Sequence, residues 1–384
     1  MFERTIFTDD HEAFRDMART FVEHEIVPHH ADWEKAGIAP REIWEKAGAQ
    51  GLLCTDVPVE FGGGGVDDYR YNAVIGEELG RVNASAIGFV LHSDIVVPYL
   101  LKLATDEQKQ RWLPSMCDGT KITAIAMTEP STGSDLAGIK TTAIRQDDGT
   151  YLINGAKTFI TNGINADLVI VAAKTDPSQR HAGVSLLMLE RGMEGFDRGR
   201  NLDKVGLKGQ DTAEMFFDDV HVPAENLIGE EGRGFAYLVD NLAQERLSVA
   251  VGVLATAEAA LDWTLDYVKQ RTAFGTTIGA FQNTKFTIAE MATKIAVTRA
   301  FVDQCLALHS QPGTELTAEQ AAMAKYWATD IVNDVVNQGV QLHGGYGFMW
   351  EYAIARAYAD MRVTSIYAGT NEIMKSIIAK HYGL

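Results

Sequence analysis

Met127-Thr128-Glu129-Pro130-Ser131-Thr132-Gly133-Ser134-Asp135 is the stretch on which the reading of this chain turns. It follows a short β-rich run, Ile122–Met127, and breaks into a turn at Pro130. Two hydroxyls, Thr128 and Ser134, and several backbone amides fall together on one strand and turn. Such groups hydrogen-bond a flat heteroaromatic ring and a phosphate without any charge. A capped turn accounts for the same residues equally well, so the rest of the chain has to decide.

Outward from this stretch the chain shows three textures. Residues 1–120 read as helices, with Phe14, Met17, Ala18, Phe21, Val22 and Ile26 at helical spacing. The cluster Phe61-Gly62-Gly63-Gly64-Gly65 marks a loop between helices, since no strand precedes it and no Gly-Lys-Ser/Thr follows. From 121 to 232 short β-rich runs alternate with turns: Ile122–Met127, Thr141–Ile144, Tyr151–Ile153, Leu168–Ala172, Val184–Leu189 and Ala213–Val222. Asp147-Asp148-Gly149 and Asn154-Gly155 carry the hairpin-turn signal. From 233 to 384 helical periodicity returns over 234–270, 283–310, 317–342, 350–361 and 371–381, the pattern of an antiparallel bundle. The expectation is an α+β protein: a helical N-terminal domain, a middle β-sandwich or barrel, and a C-terminal helical bundle.

The bulk numbers narrow the function. At 384 residues, with 46% hydrophobic and 22% charged, the chain suits two or three soluble domains. No uninterrupted apolar run approaches the roughly 20 residues that span a bilayer, so no membrane span is expected. A net charge of −18 disfavours broad binding to nucleic acid. Cys54, Cys117 and Cys305 are odd in number and far apart, which argues against a disulfide framework or a cysteine metal site. No metal is expected, and His29-His30 reads as a partly exposed pair. HExxH, CxxC, Gly-x-Ser-x-Gly, Walker and Rossmann signatures are all missing. Met1-Phe2-Glu3-Arg4 lacks a basic region followed by an apolar one, so a cytoplasmic location is expected.

Three further segments stand out. Gln341-Leu342-His343-Gly344-Gly345-Tyr346-Gly347-Phe348, with Glu351, Arg356 and Asp360 beyond it, has glycines that let backbone approach a ligand closely. Lys157-Thr158-Phe159-Ile160-Thr161-Asn162-Gly163 places an aromatic ring two residues before a hydroxyl. Gln270-Arg271-Thr272-Ala273-Phe274-Gly275, with Gln282, reads by itself as a helix end with an exposed cation.

Taken together, the four segments resemble those of the acyl-CoA dehydrogenase family, in the same order and over essentially the whole chain. The long-chain type is resembled most, through Ala243-Gln244-Glu245-Arg246-Leu247, Met323-Ala324-Lys325-Tyr326-Trp327-Ala328 and Tyr367–Lys375. The resemblance implies FAD as cofactor. It assigns Ile125, Thr128, Gly133, Ser134, Phe159, Ile160, Thr161, Tyr367, Thr370 and Glu372 to the flavin. It gives Arg271, Phe274, Gln282, Gln341, Leu342, Gly344 and Gly345 to the same cofactor, with Arg271 reaching the pyrophosphate in a neighbouring subunit. Phe159 stands where many relatives have tryptophan, Thr132 where a smaller residue is usual, and Lys208 and Gln210 where arginine and serine are common.

The reaction implied is α,β-dehydrogenation of a fatty acyl-CoA thioester. Many members carry a glutamate base at the position of Ala368, so the base must come from elsewhere. Leu238, Leu242, Glu245, Val249 and Val253 share one helical stripe, and Glu245 interrupts it with a carboxyl. Burial would raise its pKa toward a useful range for a base. A structural ion pair with an arginine of another helix is the other reading of the residues. Isovaleryl and long-chain members take their base from this position, which selects Glu245. The backbone N–H of Ala368 would still bind the thioester carbonyl. Ser134, Leu242, Ala243, Gln244, Arg246 and Gly369 complete the expected substrate wall, with Arg246 shaping its mouth and small residues such as Ala243 and Gly252 leaving room for a long chain. An electron-transferring flavoprotein as acceptor and a homotetramer follow from the same resemblance; the expected setting is a bacterial cytoplasm, with the mature form of a mitochondrial-matrix protein as the alternative. A branched-chain, isovaleryl-like dehydrogenase and a flavin-dependent oxidase or monooxygenase are the alternatives on this fold.

Overall fold

A computed structural model describes residues 3–311, 313–314 and 316–384. The first two residues of the expected 1–120 domain lie outside the described residues, as do Pro312 and Glu315 of the 233–384 domain.

The N-terminal segment forms α1 (Asp9–Phe21), α2 (His30–Ala36), α3 (Glu42–Ala49), α4 (Arg70–Arg81), α5 (Val97–Leu103) and α6 (Asp106–Cys117). A π-helical turn, Leu91–Val96, leads into α5. Helix starts follow local chemistry. Thr105 caps α6, its Oγ1 accepting the Gln108 N–H at 3.2 Å while Gln108 Oε1 accepts the Thr105 N–H at 2.9 Å. The glycine cluster falls in the loop between α3 and α4, as expected.

The middle segment holds β1 (Thr123–Ala126), β2 (Thr142–Arg145), β3 (Tyr151–Thr161), β4 (Leu168–Lys174), β5 (Val184–Glu190), β6 (Phe196–Asn201), β7 (Thr212–Val222) and β8 (Leu227–Ile228). They join in one eight-stranded sheet ordered β6-β7-β3-β2-β4-β5-β8, with β1 parallel to β4. β4 is buried along its whole length and so reads as a continuous apolar run rather than an alternating one. β6, Phe-Asp-Arg-Gly-Arg-Asn, is polar and carries a glycine, which hid it from a hydrophobic reading.

Two local expectations need correcting. Asn154-Gly155 is no hairpin turn: it lies inside β3, where the register with β7 shifts between Ile153 and Gly155. Gly155 has φ +143, and a Cβ there would sit 2.6 Å from Thr141 Oγ1, so glycine serves a bulge. His29 and His30 are not an exposed pair. His29 is exposed, but His30 is buried, its Nε2 accepting the Ala86 N–H at 3.2 Å, and burial pushes its pKa down to about 4.

The C-terminal segment forms α7 (Gly234–Gln270), α8 (Gln282–His309), α9 (Ala318–His343), α10 (Ala353–Met361) and α11 (Asn371–His381), with a two-strand ribbon, β9 (Thr272–Ala273) and β10 (Thr276–Thr277), between α7 and α8. α7, at 37 residues, is about 55 Å long. By length and composition it passes as a membrane helix, yet 72% of its apolar stretch is buried in the protein: it is the axis of the bundle. Glycines let α4 press onto it, because a Cβ on Gly80 would come within 2.5 Å of Gly252 O. Charged groups lock the same face: Arg299 of α8 donates to Glu77 of α4 at 2.9 Å, and Arg4 bridges Glu77 and Asp303.

Candidate active site

The first wall of the site is the loop after β1. Glu129 turns inward and ties it down, accepting the Lys140 N–H at 2.6 Å, the Thr141 N–H at 2.9 Å and the Lys157 ammonium at 2.9 Å. Lys157 Nζ also donates to Met127 O at 3.0 Å, and the Thr158 N–H donates to Thr128 O at 2.9 Å. Both charges are buried, and burial brings the Lys157 pKa down to about 8 against the pull of Glu129. This clamp sets Thr128 beside Thr158 and its neighbour Phe159. A second register shift, between Lys157 and Ile160, gives Phe159 φ +60 and turns its ring outward, 70% exposed, while Ile160 points into the core. An outward phenylalanine in left-handed backbone is the strain expected of a ligand-facing residue. Thr161 is half-buried at the end of β3; Ser134 and Gly133 are exposed on the loop, and Ile125 is buried beneath it.

The second wall is α7 with the segment before α11. The Glu245 side chain is almost fully enclosed, the residue 3% exposed. Tyr99 of α5 donates to its Oε1 at 2.9 Å, and Asn241, one turn earlier on α7, donates to the same oxygen at 3.3 Å. Its partners are thus a phenol and an amide rather than an arginine of another helix. Burial pushes the Glu245 pKa above the usual carboxylate range, and the two hydrogen bonds and the Arg246 charge pull against it. Arg246 is buried, not at a mouth: its Nη2 lies 3.9 Å from where a Cβ on Gly369 would be, and its buried Nε has no hydrogen-bond partner among the described residues. Leu242, Ala243 and Gln244 are half-buried beside it, and Gln244 donates to Asp94 O at 2.8 Å.

Ala368 has φ +51 and Gly369 φ +87, a tight reversal between Tyr367 and Thr370. Lys325 of α9 holds it, donating to Gly369 O at 2.8 Å and to Asn371 Oδ1 at 3.0 Å. Burial and the Arg246 charge bring the Lys325 pKa down to about 8. Thr370 caps α11, accepting the Ile373 N–H, and Glu372 is exposed in the first turn.

The remaining expected residues gather elsewhere. Arg271, Gln341, Leu342, Gly344 and Gly345 line a groove of about 540 Å³ with Tyr267, Ile278, His343, Tyr346 and Met349. Gly344 has φ +61, and a Cβ on either glycine would meet nothing within 4 Å, which leaves open backbone for a ligand to approach. Phe274 is 96% exposed with φ +52 between β9 and β10, and Gln282 opens α8. This groove lies at the far end of α7, ~39 Å along the helix from Glu245. Sequence reasoning missed Tyr99, Asn241, Lys157, Glu129 and Lys325 as supports; Glu129, Lys157 and Lys325 stood inside quoted motifs, while nothing around Tyr99 or Asn241 marked them.

The chain matches the acyl-CoA dehydrogenase N-terminal domain over residues 8–120, the middle domain over 124–220 and the C-terminal domain over 232–383. It is 51% identical over 379 residues to a mitochondrial long-chain specific acyl-CoA dehydrogenase of Sus scrofa, covering 98% of this chain and 87% of that one. An acyl-CoA dehydrogenase structure from Geobacillus kaustophilus is 52% identical with TM-score 0.97 and covers 100% of both chains. One from Bacillus anthracis, solved in complex with FAD, is 31% identical with TM-score 0.92, covering 99% of this chain and 68% of that one. The chain belongs to the acyl-CoA dehydrogenase family. It is an oxidoreductase acting on CH–CH donors and a flavoprotein whose cofactor is FAD. The residues fit that group: uncharged hydroxyls and an exposed aromatic ring on one wall, a guanidinium and open glycine backbone in the groove.

Proposed function

We propose that the protein dehydrogenates fatty acyl-CoA thioesters to trans-2-enoyl-CoA, the first step of β-oxidation, with Glu245 as the base that takes the α proton. The observation that carries this is a buried carboxyl on α7, held by a phenol and an amide rather than in an ion pair with another helix, with the Ala368–Gly369 reversal beside the neighbouring Arg246. The backbone N–H of Ala368, which needs no particular side chain, polarises the thioester carbonyl. Lys325 holds that reversal in place. Thr128, Ser134, Phe159 and Thr161 would bind the flavin ring, with Ile125, Gly133, Ile160, Tyr367, Thr370 and Glu372 around it. When bound, FAD supplies the acceptor for the β hydrogen.

Arg271, Phe274, Gln282, Gln341, Leu342, Gly344 and Gly345 would hold the other end of an FAD. At ~39 Å along α7, their groove is too far from Glu245 for one dinucleotide to touch both in one chain. The groove therefore serves a neighbouring subunit, which supports a homo-oligomer, proposed as a tetramer in the bacterial cytoplasm. Electrons would pass on to an electron-transferring flavoprotein. With domains of 1–120, 121–232 and 233–384, the flavin would lie between the β domain and the bundle. Loss of the bidentate guanidinium–phosphate contact in Arg271→Ala is expected to weaken FAD retention by roughly tenfold or more, with Glu245 chemistry unchanged once the variant is saturated with FAD. Equilibrium dialysis of FAD checks this, and unaltered retention would remove Arg271 from the site.

The test of the activity is anaerobic addition of acyl-CoA across a ladder of chain lengths, followed by flavin bleaching. Bleaching strongest with long straight chains supports the reading. A maximum with short branched chains would move it to an isovaleryl-like enzyme, and rapid oxygen consumption by the reduced protein would move it to an oxidase or monooxygenase.

A further inference from the structure

Both hydrogen bonds to the Glu245 carboxyl reach the same oxygen. Tyr99 Oη and Asn241 Nδ2 converge on Oε1, at 2.9 and 3.3 Å. Tyr99 is buried on α5, which follows directly from the π-helical turn Leu91–Val96. That turn is laced to α7 in the helical turn before Glu245: Asn241 Nδ2 also donates to Ile95 O at 3.2 Å, and Gln244 Nε2 donates to Asp94 O at 2.8 Å. A π-turn frees backbone carbonyls from the regular ladder, and here α7 side chains take two of them. The phenol is therefore held by its own helix, and the carboxyl is held by the phenol.

We infer that Tyr99, assisted by Asn241, is a positioning residue that fixes Oε1 of Glu245 and so presents Oε2 as the oxygen that receives the proton. The inference rests on Glu245 being the base. In the step concerned the α C–H bond breaks, its electron pair stays on the substrate, and a new O–H bond forms at Oε2. The Tyr99 proton stays on Tyr99, whose O–H donates to Oε1 before and after transfer. The charged groups bearing on this pair are Arg246 and Asp240 of α7.

The consequence is specific. A hydrogen bond to the ionised carboxylate favours the charged form, so its removal raises the pKa of the base. Tyr99→Phe keeps the packed ring and removes only the donor. The acid limb of the flavin-reduction rate against pH is expected to move up by about one to two pH units, the worth of one hydrogen bond to a charged group. The high-pH plateau is expected to fall roughly tenfold, because Oε2 is no longer aimed. Asn241→Ala, which removes the longer bond, should shift the limb the same way by less. FAD content and melting temperature, measured on the same samples, should stay near native; a merely structural Tyr99 would lower those and leave the limb where it was. A Tyr99→Phe profile that superimposes on the native one, while Glu245→Gln abolishes reduction, overturns the positioning role and leaves the base standing. Native reduction by Glu245→Gln overturns the base and the positioning role together.

Discussion

Glu245→Gln is expected to keep its FAD and its fold and to lose flavin reduction by acyl-CoA about 10²–10⁴-fold, the usual contribution of a positioned general base. The amide has the shape of the carboxyl, and its oxygen still accepts from Tyr99 and Asn241. It also removes a buried charge, so stability should be unchanged or slightly higher. The affinity for acyl-CoA should barely change, because the lost interaction belongs to proton transfer. The pH dependence supplies an independent sign. A base works only when deprotonated, so native reduction falls as pH drops through the Glu245 pKa, and burial sets that fall at higher pH than for an ordinary carboxylate. In Glu245→Gln the limb should vanish. Stopped-flow anaerobic reduction across pH measures both, and bleaching of the variant at near-native rates removes Glu245 from the mechanism. Adding Ala368→Glu to Glu245→Gln is expected to restore part of the rate, since position 368 is where many relatives keep their base. The left-handed backbone there, φ +51, limits how much returns.

The second large effect concerns stability. Lys157→Met should cost about 3–5 kcal/mol, because it leaves the Glu129 carboxylate buried without its cation. It also removes the hydrogen bond to Met127 O that holds the loop after β1. FAD retention should fall with it, since Thr128, Ser134 and Phe159 depend on that loop. Chemical denaturation and bound-flavin content report the two effects. Glu129→Gln in the Lys157→Met background is expected to recover part of the stability, as removal of both charges does in buried pairs. The recovery is incomplete because the carboxylate also accepts the Lys140 and Thr141 N–H groups with two oxygens, of which an amide keeps one. Native stability of Lys157→Met would show that the pair carries no load.

The long elements were legible because their periodicity is strong. The periodicity over 234–270 predicts α7, which forms Gly234–Gln270, and that over 371–381 predicts α11, which forms Asn371–His381. β3 was read three residues long and runs to Thr161, because its bulges at Gly155 and Phe159 break the alternation that marks a strand. Those bulges are also what turns Phe159 outward, so the irregularity that obscured the strand belongs to the site. Buried Glu245 was foreseen from an apolar stripe. The stripe itself is too simple a picture, since α7 is buried nearly all round and Arg246, Leu247 and Ser248 are enclosed with it.

Residue order and motif content by themselves determined the three-part architecture, the family and the need for a base other than residue 368, because periodicity and local turn chemistry are written in neighbouring residues. Only the tertiary structure decided what holds the base and how the cofactor residues divide. Tyr99 meets Glu245 across 146 positions of chain, and Arg271 parts from Glu245 along a rigid helix. Hydrogen bonds and distances of that kind arise from packing between elements, and no local pattern encodes them.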